Sequence, residues 1–330
     1  MFRFLVIVFG TLFSVVFFSP TYAKARSANT STVTILWPPI PQGEMSRLVP
    51  EAMKQARLGN SDLAASVSRR SDEALPYLEK FSRENDDNVR SAVERIASVS
   101  HSPRALHLLS NILVRPNEAS SISSHVLRDI TRGYNRREIL HWGGQALQDN
   151  VMQLARYRSY YSEAILVTAS FRSAKSTALL KDIRHRAQPN DLLILDEFSP
   201  KAELAFVADI ALSESGNRAA WTRLRRRLNR KTINERVWLC HALPFIENRR
   251  ILRLVANYLH DKRTAKSRSI FAMTDKGCIE TKLPPLRVCD VTAQALAFKM
   301  DAQRRGDLYD GNPLPATEIA RVRQRFRRWL

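Results

Sequence analysis

Residues 86–113 read DDNVRSAVERIASVSHSPRALHLLSNIL and contain the pattern that decides the fold. Apolar residues from Val89 to Ile96 recur at the spacing of one helix face, and a second such stripe begins at Leu106. The serine–proline pair at 102–103 lies between them and supplies an N-cap and a first-turn residue. The stretch therefore predicts two helices joined by a short polar break.

This unit recurs at intervals of 33–40 residues. Each copy has a residue late in one helix, apolar in all copies but one, and a second residue ten positions later in the next helix. The pairs are Ile96 with Leu106, Ile130 with Leu140, Ser170 with Leu180, Ile210 with Ala220 and Leu243 with Arg253. Glycine and proline together make only 25 of 330 residues, and alternating Val/Ile/Thr runs are missing, which favours an all-helical chain. Because repeated helix pairs bury their apolar faces by stacking, we predict an all-α solenoid over residues 46–330.

Two segments carry a family resemblance. Residues 87–97 (DNVRSAVERIA) resemble the second helix of a HEAT repeat, and so do residues 286–297 (LRVCDVTAQALA), with a weaker copy at 234–238 (NERVW). The resemblance covers most of residues 60–300. It implies a right-handed α-solenoid of about six HEAT-like helix pairs, with the second helices on the concave side. It carries over no catalytic residue, and armadillo-like or other helical-hairpin repeats remain alternatives because their periods overlap.

Residues 1–23 have the features of a cleaved signal peptide: Arg3, an apolar run from Phe4 to Phe18, and small residues at 21 and 23. The run is short for a membrane span, which takes about 20 apolar residues, although an uncleaved anchor is the alternative. We therefore expect export to the periplasm or the extracellular space. Residues 24–45 are rich in Ser, Thr and Pro and are predicted to form a disordered leader.

The chain has 52 basic and 32 acidic residues and a formal charge of +20. Such a charge often accompanies nucleic-acid binding, but an exported protein meets little nucleic acid, so we do not expect that partner. We expect a monomer that binds another protein of acidic character, with an anionic envelope surface as the alternative. A third interpretation of the positive charge is that it serves only solubility, with ion pairs on the surface and no ligand.

The repeat is interrupted between Leu243 and Leu296, which are 53 residues apart. The extra length is the insertion 261–284, which has no helical stripe and is predicted to be a loop without regular structure. Cys278 and Cys289 are the disulfide candidate in an oxidising compartment, and pairing of Cys240 with either stays open. If Cys278 pairs with Cys289, Cys240 is left as a buried free thiol.

Two basic stretches are candidate binding surfaces for an anionic partner. In 223–231 the basic residues are Arg223, Arg225, Arg226, Arg227, Arg230 and Lys231. In the C-terminal basic helix 316–330, an apolar stripe that ends in Phe326 and Trp329 is flanked by arginines, among them Arg321, Arg325 and Arg328. This second helix either caps the solenoid, with its arginines in water, or lies on an anionic membrane surface.

The search for catalytic chemistry is negative. The sequence contains no G-x-S-x-G, H-E-x-x-H, P-loop or G-x-G-x-x-G motif, and its cysteines lack C-x-x-C spacing. We therefore expect no enzymatic activity, no cofactor and no metal site. The sequence predicts an exported HEAT-like scaffold that binds another protein. The alternatives are a basic adaptor for anionic membrane or polysaccharide surfaces and an enzyme with scattered residues on the concave face.

Overall fold

The computed structural model describes residues 7–9, 12–14, 43–113, 121–156, 162–195, 199–229, 233–274, 277–300 and 313–330. Most of these residues are helical, so the prediction of a mainly helical chain is confirmed. The predicted signal peptide is described only at β1 (Ile7–Phe9) and β2 (Leu12–Ser14), which pair antiparallel. The predicted leader lies outside the described residues except at its end, where the first helix begins at Met45.

The described elements fall into two compact units, the first formed by residues 36–230 and 244–251 and the second by residues 1–35, 231–243 and 252–330. The helices up to residue 154 are α1 (Met45–Arg57), α2 (Asp62–Val67), α3 (Ser71–Ala74), α4 (Asp87–Ala97), α5 (Pro103–Ile112), α6 (Ser121–Gly133), α7 (Arg136–Trp142) and α8 (Gly144–Leu154). The next are α9 (Ser162–Phe171), α10 (Ala174–Arg186), α11 (Leu204–Glu214), α12 (Arg218–Asn229), α13 (Ile233–His241), α14 (Arg249–Ala256), α15 (Val288–Met300) and α16 (Ala316–Trp329). A two-residue antiparallel pair, β3 (Leu192–Leu193) and β4 (Ala202–Glu203), precedes α11.

Both helices of the first pair are capped, and the predicted N-cap at Ser102 is confirmed. The Asp86 side chain accepts hydrogen bonds from the backbone N–H groups of Asn88 and Val89, at 2.9 and 3.1 Å. Ser102 accepts from the N–H of Ala105 at 3.2 Å, with Pro103 in the first turn of α5. Such caps satisfy donors that have no partner within the helix, so short local motifs fix where both helices begin.

Two helices of the first unit are buried on all sides. In α9 every residue except Ser170 is buried, and in α11 every residue except Ala205. Helix α11 contacts α9, α10 and α12, and α9 contacts α6, α8, α10 and α11. By contrast, α12 buries Ala220, Leu224 and Leu228 and exposes much of the rest. Amphipathic helices therefore cover an inner layer that carries the core.

The insertion 261–284 was expected to lack regular structure, and this prediction is wrong. Strands β5 (Thr264–Thr274) and β6 (Gly277–Arg287) pair antiparallel as a long hairpin, with irregular register near Lys266. At its base the N–H of Val288 donates to the carbonyl of Arg263, and the N–H of Cys289 to that of Asp261, both at 2.9 Å. The hairpin is continuous with α15, so it belongs to the second unit as a structured element.

The predicted Cys278–Cys289 disulfide is not formed. Cys289 is a buried free thiol on α15, and Cys278 lies near the far end of β6. An extended strand rises about 3.3 Å per residue, so the two backbones lie roughly 30 Å apart, far beyond the ~7 Å that a disulfide can bridge. Cys240 is also a buried free thiol. Burial raises the pKa of the Cys240 thiol to about 12, so this group is protonated at neutral pH.

Candidate functional site

The buried helices carry acidic residues that are met by arginines from neighbouring elements. Glu163 on α9 accepts from Arg128 on α6 at 3.2 Å, and Glu214 on α11 from Arg172 at 3.4 Å. In the second unit, Asp290 on α15 pairs with Arg287 at 2.8 Å. Buried charges require such partners because leaving one alone costs several kcal/mol, on the order of 3–5. Part of the arginine excess is therefore used inside the fold and is not available to a ligand.

Asp209 on α11 is bound by two arginines from neighbouring helices. Its carboxylate accepts from Arg184 Nε on α10 at 3.3 Å and from Arg223 Nε and Nη2 on α12 at 3.0 and 2.7 Å. Helices α10 and α12 both pack on α11, which brings these residues together although they lie 25 and 14 positions from Asp209. One buried carboxylate thus fixes the orientation of two guanidinium groups.

The basic stretch 223–231 divides into two groups. Arg223 binds Asp209, and Arg227 pairs with Glu203 at 2.9 Å while its guanidinium lies 5.2 Å from the Phe206 ring. Arg225 and Arg226 are exposed on α12 and have no carboxylate partner among the described residues. The predicted site residues Arg230 and Lys231 lie outside the described residues.

The C-terminal helix α16 packs its apolar side on α15, with Ile319, Val322 and Phe326 buried. Trp329 is 43% exposed and stacks on Phe326 with ring centroids 5.7 Å apart. The predicted site residues Arg321, Arg325 and Arg328 are exposed, and Arg321 pairs with Glu318 at 3.0 Å. The apolar stripe is therefore already used within the second unit, and what α16 presents outward is mostly positive charge.

An open depression of about 530 Å³ lies over the Asp209 cluster, between α10 and α12. Cationic groups on its rim are Lys181, Arg184 and Arg223; His185 also lines it, and its apolar lining includes Leu212 and Ala219. Arg184 is 35% exposed and Arg223 41%, while Asp209 beneath them is 6% exposed. We call this depression, with those lining residues, the α10–α12 groove.

A second open depression of about 940 Å³ lies along α7, where Arg136, Arg137, His141, Trp142 and Glu247 line it. Trp142 belongs to an aromatic cluster with His101 and Tyr134, whose rings stack at 5.0 Å. Arg136 Nε donates to the carbonyl of Ser170 at 2.6 Å, and burial lowers the pKa of its guanidinium. The Arg136 guanidinium is thus held by a backbone carbonyl. The depression along α7 is lined by both basic and acidic side chains.

His101, His107 and His260 lie beside charged side chains. His101 lies 3.3 Å from Glu138, His107 3.4 Å from Glu79, and His260 3.3 Å from Arg323, so none of these three contacts reaches a hydroxyl or thiol. Within the described ranges, no group of three or more His, Cys, Asp and Glu side chains could hold a metal ion. Among those same residues, none of the helices has the length and apolar character needed to cross a bilayer.

Glu94 on α4 and Asp129 on α6 form a carboxyl pair that the sequence does not reveal. Burial raises the pKa of Glu94 well above its usual value, and the charge of Asp129 and a hydrogen bond to it raise it further. The folded protein therefore holds a proton that the unfolded chain releases near pH 4.5. Stability should fall as the pH rises from that value through the raised pKa of Glu94.

We expect Glu94→Gln to remove this pH dependence, because glutamine donates a hydrogen bond to Asp129 without titrating. At pH 7.5 the melting temperature should rise by on the order of 2–4 °C, which corresponds to about 1 kcal/mol in a domain of this size. Near pH 4 the variant and the parent should have the same melting temperature. Thermal melts followed by circular dichroism test this prediction, with Glu51→Gln at an exposed position as the control. An equal change in melting temperature at both pH values would contradict the presence of a proton on Glu94 in the folded protein.

Comparisons with known proteins give no further assignment: no protein-family model, no curated protein and no solved structure matches this chain.

Proposed function

We propose that the protein is an exported, non-enzymatic helical-repeat scaffold, of HEAT-like type, that binds an acidic protein through its arginine-rich helix faces. The observation that carries the proposal is the pair Arg225 and Arg226. Both are exposed on a helix whose opposite side is anchored by Leu224 and Leu228, and neither forms an ion pair with a described residue. Arginines in that position can form bidentate contacts with carboxylates of a partner.

The arrangement of the buried helices supports the scaffold part of the proposal. Helices α9 and α11 form an inner layer, and amphipathic α10 and α12 pack on α11, as stacked helix pairs would. The contacts described for His101, His107 and His260, and the raised pKa of the Cys240 thiol, offer no activated nucleophile, so an enzymatic function has less support.

Attachment to an anionic membrane is the alternative, and it rests on α16. Its arginines other than Arg323 are exposed, but its apolar face packs on α15 and only Trp329 is available for insertion. Interfacial helices bind through apolar area as well as charge, so α16 would have to leave α15 to bind strongly. Protein binding therefore has the better support.

The test is capture of the protein's partner from an envelope fraction at about 0.05 and 0.5 M salt, since exposed ion pairs are screened at the higher concentration. The captured protein is identified by mass spectrometry, purified and used for binding measurements. We expect Arg225→Glu with Arg226→Glu to weaken binding by roughly a hundredfold, as loss of about 3 kcal/mol would.

The matched control is Arg249→Glu with Arg250→Glu, which makes the same charge change at two adjacent exposed arginines on α14. It should bind nearly as well as the parent. Equal loss in both double variants would indicate a general charge effect, and binding that survives high salt would count against the arginine face. Capture of anionic lipid vesicles without a protein partner would favour the alternative.

A further inference from the structure

The α10–α12 groove has the features of a preformed anion site. Arg184 uses only Nε to reach Asp209, and Arg223 uses Nε and Nη2. Among the described residues, both Nη groups of Arg184 and Nη1 of Arg223 have no hydrogen-bond partner, and their side chains are 35% and 41% exposed. Because Asp209 already holds both guanidinium groups, a ligand would bind them with little further loss of side-chain freedom.

The local charge favours an anion. Lys181, Arg184 and Arg223 contribute three positive charges against one carboxylate, that of Asp209. The other acidic residue of this part of α10, Asp182, is bound by Arg186. Glu214, at the end of α11, is buried and meets Arg172 and the backbone N–H of Asn248. The groove therefore keeps a net charge of about +2 after its internal pairs are formed.

The lining also contains apolar surface, which narrows the class of ligand. Leu212 and Ala219 lie beside the cationic rim, and the volume of about 530 Å³ is larger than a single inorganic anion fills. A ligand that matches both parts has a carboxylate next to an apolar side chain. Segments of this kind, with Asp or Glu beside Leu or Ile, are common on acidic proteins.

We infer that the α10–α12 groove binds such a segment: an acidic peptide of the partner, with its carboxylate on Arg184 and Arg223 and its apolar side chain on Leu212 and Ala219. This inference rests on the proposed function and locates one contact point of the acidic partner. Lys181, one helical turn before Arg184, provides a second cation for a neighbouring carboxylate of the same peptide. Hence peptides with two carboxylates should bind better than peptides with one.

The test uses a fluorescein-labelled peptide of alternating glutamate and leucine and measures its anisotropy with the full chain. Two matched peptides replace glutamate by glutamine or leucine by serine, and we expect each to bind at least tenfold more weakly. Lys181→Glu should weaken binding of the parent peptide at least tenfold. The control Lys201→Glu makes the same charge change at an exposed lysine outside the groove and should have little effect.

Arg184→Gln is a second variant, chosen because Arg223 still holds Asp209 through two hydrogen bonds and the fold should be kept. It should also weaken peptide binding at least tenfold, with an unchanged circular dichroism spectrum. Equal affinity of Lys181→Glu and Lys201→Glu would overturn the inference. Displacement of the peptide by inorganic phosphate alone would also overturn it, as would preference for anionic phospholipid vesicles over the peptide.

Two outcomes separate a wrong groove inference from a wrong proposed function. If the captured partner depends on Arg225 and Arg226 but not on Lys181, the protein binds an acidic partner elsewhere and the groove inference is wrong. If no partner is captured while the peptide binds the groove and responds to Lys181→Glu, the groove inference holds and the scaffold function is wrong.

Discussion

Replacement of Asp290 by alanine should lower the free energy of unfolding by about 3–5 kcal/mol, the cost of breaking a buried ion pair from one side. Asp290 is 0% exposed. Its Oδ1 accepts from Arg287 Nη2 at 2.8 Å and the N–H of Leu314 at 3.1 Å, and its Oδ2 accepts from the N–H and Nε of Arg287 at 2.8 and 2.9 Å. These bonds join the end of β6 and the segment before α16 to the start of α15.

Burial raises the pKa of the Asp290 carboxyl, but the hydrogen bonds from Arg287 and from Leu314 outweigh it, so the net pKa lies below the usual value. The carboxylate therefore contributes stability at neutral pH that is lost as the pH falls below about 4. Urea unfolding at pH 7 followed by circular dichroism measures the loss. The control is Glu318→Ala, which removes an exposed ion pair with Arg321 and should cost less than about 1 kcal/mol. Similar losses in both variants would show that Asp290 does not hold these elements together.

Replacement of Phe206 by alanine should destabilise the first unit by about 3–5 kcal/mol, because it leaves a cavity in a helix that is packed on all sides. Phe206 is fully buried on α11, and the Arg227 guanidinium lies over its ring at 5.2 Å. Loss of the ring would also free Arg227, whose pairing with Glu203 at 2.9 Å links α12 to the strand before α11. The effect should therefore exceed the loss of apolar contact alone.

Phe206→Leu keeps most of the volume and should cost less than about 1.5 kcal/mol. Leu192→Ala removes an apolar side chain that is half exposed on β3 and serves as the surface control. Urea unfolding of the three variants should rank them Phe206→Ala, Phe206→Leu and Leu192→Ala in decreasing loss. If Phe206→Ala unfolds at the same urea concentration as Leu192→Ala, α11 is not the core of this unit.

The parts of the fold that depend on local chemistry could be predicted from the sequence. The caps at Asp86 and Ser102 lie within three residues of the groups they bind, so their signal is contained in the sequence itself. The β5–β6 hairpin is not predicted from the sequence, because the charged residues in this region favour a loop. The segment Thr274-Asp275-Lys276-Gly277 carried turn residues that could have indicated it.

The candidate site could be predicted only in outline. The arginine-rich stretch 223–231 is evident from composition, but the roles of its members depend on partners distant in sequence. Asp209 lies 14 residues before Arg223, and nothing local distinguishes Arg223, which binds it, from Arg225, which does not. Burial of an acid on a neighbouring helix decides which arginines are structural, and that is a property of tertiary packing.

The all-round burial of α9 and α11 also determines where the chain can be shortened. A truncation after α10 would remove α11 and leave a side of α9 uncovered, and apolar patches larger than a few hundred Å² promote aggregation. A truncation after Asn229 keeps α11 between α10 and α12, but it removes residues 244–251 of the same unit and with them the Asn248 N–H that binds the buried Glu214. Fragments of the first unit for interaction studies should therefore extend beyond residue 251.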